Sequence, residues 1–258
     1  MQNYTDINAK AIDQWVEEGW EWGTPISHES YENAKNGQWS VVLTPTVPVP
    51  AEWFRPCLKD GSFGGAKLLG LASGGGQQMP VFAALGAACT VLDYSDRQLD
   101  SELLVSAREG YAINIVKADM TKRLPFGDKS FDLIFHPVSN CYVEDVCHVW
   151  NECYRVLKSG GVLLAGFDNG INFLFNEDEP LKIMHKLPYN PLRNPEHYKH
   201  SIECDGTLQF SHSLEEQIGG QLKAGFILTD LFEDRDKPDG NSIGEYYPQY
   251  IATRAIKP

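Results

Sequence analysis

From Lys67 onward the chain alternates short apolar runs with helical patterns, and no other feature constrains its fold as tightly. KLLGLAS, ACTVLD, INIVKAD, FDLIFH and VLLAGF read as five strands carrying few polar residues, the pattern of strands covered on both faces. Between them, QQMPVFAALGA has helix composition with Pro80 in its first turn. SDRQLDSELLVSARE opens with Ser95 three residues ahead of Gln98, a capping-box spacing, and sets Leu99, Leu103 and Ala107 on one predicted face. VEDVCHVWNECYRVLKSGG carries Val143, Val146, Trp150, Cys153 and Leu157 at helical spacing and is predicted to stop at Gly160-Gly161. Right-handed crossovers turn such a repetition into a doubly wound α/β sheet whose ligands sit at the carboxyl ends of the strands. The alternation lapses over residues 169–212, then resumes with a helix in SLEEQIGGQLKAGF and two more strands, ILTDLFED and YPQYIATRAIKP.

One domain is expected, in four parts: a cap and strap over 1–56, a core over 66–168, an insertion over 169–212 on the acceptor side, and a completion of the sheet over 213–258. The strap is rich in aromatics, among them Trp15, Trp20, Trp22, Trp39, Trp53 and Phe54, and TPTVPVPAEW precludes a helix or a central strand there. These rings are expected to pack on the body of the domain, with some free to close over a ligand.

A net charge of −13, from 22 Lys+Arg against 35 Asp+Glu, opposes a nucleic-acid partner, since phosphate binding is dominated by cations. No apolar run is long enough to cross a bilayer and MQNYTDINAK lacks the layout of an export signal, so a cytoplasmic location with no membrane partner is expected. Six cysteines with no CxxC pair argue against a structural zinc site, and no metal is expected.

The chemistry is carried by LLGLASGGGQQ, Leu68 to Gln78, where three glycines follow the first strand and open a helix. Bare main chain there lets a ligand approach and receive N–H groups. A dinucleotide would need G-x-G-x-x-G; Gly74-x-Gly76 fits, but the third glycine falls on Met79. Asp93 closes the second strand, where a carboxylate accepts both hydroxyls of a ribose; Asp119-Met120 follows the third, where an acid accepts an exocyclic amine. Duller roles stand beside these: Asp93 as a helix cap, Asp119 as a turn residue, His136 as a strand-end side chain bound to a carbonyl.

LASGGGQQ, DYSDRQL, FDLIFHPVSNCYVED and W-x-E-x-YRVLKSGG together make the stretch from Lys67 to Phe167 resemble the class I S-adenosylmethionine-dependent methyltransferases, and LTP, VP-x-x-WF and YPQYIATRAIKP extend the similarity to both ends. The resemblance implies a Rossmann-like, seven-stranded, mostly parallel sheet with an antiparallel last strand beside the fifth, and S-adenosylmethionine as cofactor. It implies that Ala72, Gly74 and Gly76 line the methionine moiety, with Ser73 and Gln98 also cofactor-binding. Asp93 would hold the ribose diol beside Tyr94 and Ser95; Asp119 and Met120 would flank the adenine; His136, Pro137 and Val138 would lie under the sulfonium. The commoner family pattern has an acid where Gly70 stands and a glycine where Ala72 stands.

The expected reaction is an in-line methyl transfer to a small or medium organic acceptor by a monomer or homodimer, with His136, Tyr142 and Glu144 as candidate bases should the acceptor need to lose a proton. A nicotinamide-dependent oxidoreductase and a non-catalytic S-adenosylmethionine-binding protein are the alternatives.

Overall fold

The computed structural model describes residues 3–175, 182–237 and 243–258. Residues 176–181 of the polar insertion, and 238–242 of the loop before the last strand, lie outside the described residues. In chain order the elements are α1 (Tyr4–Glu17), α2 (His28–Lys35), β1 (Lys67–Leu71), α3 (Gln78–Ala84), β2 (Ala88–Asp93), α4 (Asp96–Glu109), β3 (Asn114–Lys117), β4 (Phe131–His136), α5 (Val146–Val156), β5 (Leu157–Asp168), α6 (Pro195–Cys204), α7 (Leu214–Ala224), β6 (Ile227–Asp234) and β7 (Tyr250–Ile256).

The seven strands form one sheet in the order β3-β2-β1-β4-β5-β7-β6. β7 runs antiparallel to both β5 and β6, while the other pairs are parallel. The order reverses between β1 and β4, so the carboxyl ends of these two strands flank the switch point at which open α/β sheets bind ligands.

Side-chain alternation along the strands divides the core in two. Leu68, Val91, Leu133, Phe135 and Leu164 face one cluster, shared with Met79 and Phe82 of α3 and with Leu43, Trp53 and Phe54 of the strap. Leu69, Leu71, Leu92, Ile134 and Leu163 face the other, against Val149, Trp150 and Cys153 of α5. On the first face the strap fills space an ordinary crossover helix would cover. It is pinned where Asp234 accepts the Thr46 and Val47 amides at 2.8 and 3.0 Å, and where Trp53 Nε1 donates to Asp230 at 2.9 Å.

Two helices depart from the sequence reading. In α4, Leu103 and Ala107 are exposed; the buried stripe is Gln98, Leu99, Ser101, Glu102, Val105 and Ser106. Leu99 of that stripe joins the apolar core cluster, but beside it Ser101 Oγ donates to the Gly23 carbonyl at 3.0 Å and Glu102 accepts the Gly76 amide at 3.0 Å, so polar residues share the buried face and hydrophobic periodicity points to the wrong side. In α5 the helix ends at Val156, and Leu157 already pairs with Phe131 of β4. Gly160, at φ +77°, turns the chain inside the extended segment instead of capping the helix. Among the described residues no helix is long and apolar enough to cross a membrane.

Candidate active site

The carboxyl ends of β1, β2, β4 and β5 open into one cavity of about 830 Å³, within the range usual for small-molecule sites. Ala72, Ser73, Gly74, Asp93, Tyr94, Ser95, Gln98, Asp119, Met120, Pro137, Val138 and Tyr142 all line it. Gly76 and His136 do not.

The β1–α3 loop is locked from both sides. Ala72 sits at φ +47°, the left-handed region where glycine is at ease, and its amide donates to the Leu92 carbonyl at 2.8 Å. Gly74 N–H donates to Asp93 Oδ2 at 3.1 Å, Gly75 N–H to the Gln98 carbonyl at 2.9 Å, and Gly76 N–H to Glu102 Oε1 at 3.0 Å. The glycine amides are therefore committed to the protein itself, contrary to the expectation that they would face a ligand. A pyrophosphate would find that donor set already occupied.

The glycines serve close approach instead. A Cβ at Gly75, φ +91°, would overlap the Trp22 carbonyl, and one on Gly76 would come 2.8 Å from the Ser101 carbonyl. Gly76 thus faces α4 and the strap. The two amides of the motif complete the lock: Gln77 Nε2 donates to the carbonyls of Glu21 and Thr24 at 2.6 and 3.0 Å, and Ser73 Oγ donates to Gln78 Oε1 at 3.1 Å. The place of the commoner acid at Gly70 is filled by Met79, whose sulfur would lie 2.9 Å from a Cβ there.

Asp93 accepts three main-chain N–H groups, Gly74 on Oδ2 and Tyr94 and Ser95 on Oδ1 at 2.8 and 3.1 Å. Burial pushes its pKa up, and these donors oppose the rise. The helix cap falls to Ser95, whose Oγ accepts Gln98 N–H at 3.1 Å; Gln98 reaches toward the Trp22 carbonyl rather than back to Ser95, so the box is half made. Helix α1 covers this corner through Tyr94 Oη to Asp6 at 2.7 Å and Ser95 Oγ to Asp13 at 2.6 Å. Asp119 Oδ1 takes the Thr121 amide at 2.8 Å, and Leu92, Ala118, Met120 and Val143 supply apolar walls beside it.

His136 is fully buried behind the cavity wall. Its Nδ1 donates to the Leu71 carbonyl at 2.8 Å, Nε2 is engaged by the Asn140 side chain at 2.9 Å, and the ring meets Trp150 edge-on. Strand pleating sends this side chain toward α5, burial lowers its pKa and so disfavours the charged ring, and it does not reach the cavity. Tyr142 does face the cavity, but burial pushes its phenol well up, which suits hydrogen-bond donation and not proton abstraction. Glu144 is exposed and accepts from Asn190 Nδ2 at 2.9 Å outside the cavity.

Sequence reasoning expected some rings of the strap and the insertion on the ligand side, and Trp20 and Trp22 do line the cavity, but it singled out none of the other residues of this part of the wall. Thr5 and Asn8 of α1, Trp20 and Trp22 after it, Asp168 at the end of β5, and Phe173, Tyr189 and Asp205 of the insertion also line the cavity. Asn8 joins cap to insertion by a reciprocal pair with Leu208, at 2.9 and 2.7 Å. A polar residue mid-helix with a partner 200 positions away leaves no local signal.

S-adenosylmethionine is compatible with these residues. Asp93, held rigid at the edge of the cavity, suits a vicinal diol, the apolar slot beside Asp119 suits a flat base, and Gln98 Oε1 is a buried acceptor left without a protein partner.

The methyltransferase domain family profile matches residues 69–165. The chain is 45% identical over 256 residues to an uncharacterized methyltransferase of Bacillus subtilis, YbaJ, with 97% of each chain covered. Its fold is similar to solved S-adenosylmethionine-dependent methyltransferases from Mesorhizobium loti, at TM-score 0.57 and 18% identity over 75% of this chain and 91% of that one, and from Listeria monocytogenes, where the protein is described as putative, at 0.59 and 15% over 76% and 92%.

Proposed function

The chain belongs to the class I S-adenosylmethionine-dependent methyltransferases, and from that membership we propose that it methylates a small or medium organic acceptor enclosed between its N-terminal cap and its insertion. S-adenosylmethionine is the cofactor, and it supplies a methyl group already activated on a sulfonium. The protein's part is then to align and to exclude water.

Asp93 holds the ribose, because its carboxylate is fixed by Gly74, Tyr94 and Ser95 before any ligand arrives and little ordering remains to be done on binding. Asp119 and Met120 take the adenine. Ala72, Ser73, Gly74, Pro137 and Val138 form the wall along the methionine end, where the Val138 amide donates to the Leu43 carbonyl at 3.1 Å and so brings the strap over the reaction centre. His136 is a structural residue in this reading, and Tyr142 an acceptor-side donor. The supporting observation is one cavity lined both by Asp93 and by the insertion's aromatic side chains Phe173 and Tyr189.

The test compares thermal unfolding in buffer, S-adenosylmethionine, S-adenosylhomocysteine and NAD. Stabilisation by the two adenosyl ligands alone is expected, since a ligand of the native state stabilises by its concentration over its Kd, and Asp93→Ala should weaken it. Stabilisation by NAD alone would overturn the assignment.

A further inference from the structure

Asp168 ends β5 inside the cavity, 96% buried by its 4% residual exposure. Its Oδ1 accepts the Gly170 amide at 2.9 Å, while Oδ2 is buried with no hydrogen-bond partner among the described residues. A carboxylate oxygen kept dry and unpaired is costly, and such groups mark places where a ligand supplies the missing donor.

The neighbouring donors are turned elsewhere. Tyr250 Oη donates to Asp236 at 3.2 Å, and Gln249 Nε2 divides between Asn172 at 3.2 Å and Asp236 at 3.1 Å. Asn169 Nδ2 donates to the Pro248 carbonyl at 2.8 Å. Each of these donors has another acceptor.

The sign of the compartment adds a second constraint. Asp168, Asp205 and Asp236 line it; the described lysine on its wall, Lys237, is joined to Glu21 at 2.8 Å. Phe173 and Tyr189, with ring centroids 5.8 Å apart, line the same cavity. Carboxylates and aromatic rings lining one cavity favour a nitrogen that carries or develops positive charge over a neutral hydroxyl, and oppose an anion.

We propose that the methyl acceptor is a small amine whose N–H donates to Asp168 Oδ2, which makes the protein an N-methyltransferase. This rests on the methyltransferase reading above and deepens it. An amine that arrives protonated first gives one proton to Asp168 Oδ2 and on to water; the lone pair so freed forms the new N–C bond as the C–S bond of the donor breaks, the bonding pair remaining on sulfur to give a neutral thioether. The proton then displaced from the cationic nitrogen goes to Asp168 Oδ2 and from there to water.

Calorimetric titration of the protein saturated with S-adenosylhomocysteine tests this with three matched probes: phenethylamine, 2-phenylethanol and phenylacetate. The expected order is amine tightest, alcohol about tenfold weaker and acid weakest, a charge-assisted hydrogen bond being worth about a factor of ten or more. In Asp168→Asn the amine should weaken about tenfold while S-adenosylhomocysteine binds as before, which also reports that the variant is folded. Amine binding that is absent or no tighter than that of the alcohol or acid in the unmodified protein overturns the proposal, as does undiminished amine binding in the variant. Failure of S-adenosylhomocysteine to bind the unmodified protein overturns instead the reading on which the proposal rests.

Discussion

Replacing Glu102 by Gln should change how the protein's stability depends on pH. Glu102 is fully buried on α4, with Oε1 accepting the Gly76 amide at 3.0 Å and Oε2 without a partner. Burial pushes its pKa from 4.5 to about 8, against the opposing pull of the Gly76 amide. Between these two values the native carboxyl keeps its proton while the unfolded chain has lost it, so the native state binds more protons and stability falls as pH rises. At about 1.4 kcal/mol per pH unit the loss accumulates to at most about 5 kcal/mol by pH 8, and is constant above that. Gln keeps the acceptor for Gly76 and cannot ionise. At pH 5 the two proteins should unfold at nearly the same urea concentration, because each buries one neutral side chain with one polar group unpaired. At pH 8 the variant should be the more stable, with a midpoint shifted upward by about 1 to 1.5 M if unfolding follows about 3 kcal/mol per molar urea. Urea titrations at half-unit steps from pH 5 to pH 9, followed by Trp fluorescence, measure the difference directly, and other titrating groups cancel between the two proteins. Parallel profiles would show that Glu102 is ionised or solvated in the native state, and would refute the account of how the glycine loop is anchored.

Ala72→Gly removes a Cβ from a left-handed residue at φ +47°. It should leave stability unchanged or raise it by up to about 1 kcal/mol, the relief exceeding the gain in unfolded-chain entropy; a loss of more than that in urea titration would contradict the strain. Gly75→Ala places a methyl group against the Trp22 carbonyl and 2.7 Å from Gln98 Oε1. It should cost about 1–3 kcal/mol and weaken S-adenosylhomocysteine binding by displacing the segment around Trp22, and unchanged binding by calorimetry would count against that contact. The His136 ring, lowered in pKa by burial, should titrate below the usual 6.5, and side-chain NMR showing it titrate at or above that value would restore it as a candidate proton carrier.

The strands, their order of use and the place of Asp93 were legible in the residues from 67 to 168, because apolar strands and capped helices are local patterns and right-handed crossovers leave few ways to assemble them. The departures come from the neighbours that each element meets. The buried face of α4 carries Glu102 and Ser101 beside Leu99 and Val105 because Glu102 answers the Gly76 amide and Ser101 the Gly23 carbonyl; α5 stops at Val156 because Leu157 is already paired with Phe131. His136, placed by its motif beneath a reaction centre, lies on the α5 side of the sheet because the pleat of β4 sends it there. The sequence alone therefore determined the sheet, the place of Asp93 at the carboxyl end of β2 and the absence of a complete dinucleotide fingerprint. Only the tertiary structure decided which other residues share the cavity with Asp93, since Asn8, Trp20, Asp168 and Tyr189 are far apart in the chain and come to one cavity through contacts such as Asn8 with Leu208, which no period of 2 or 3.6 residues encodes.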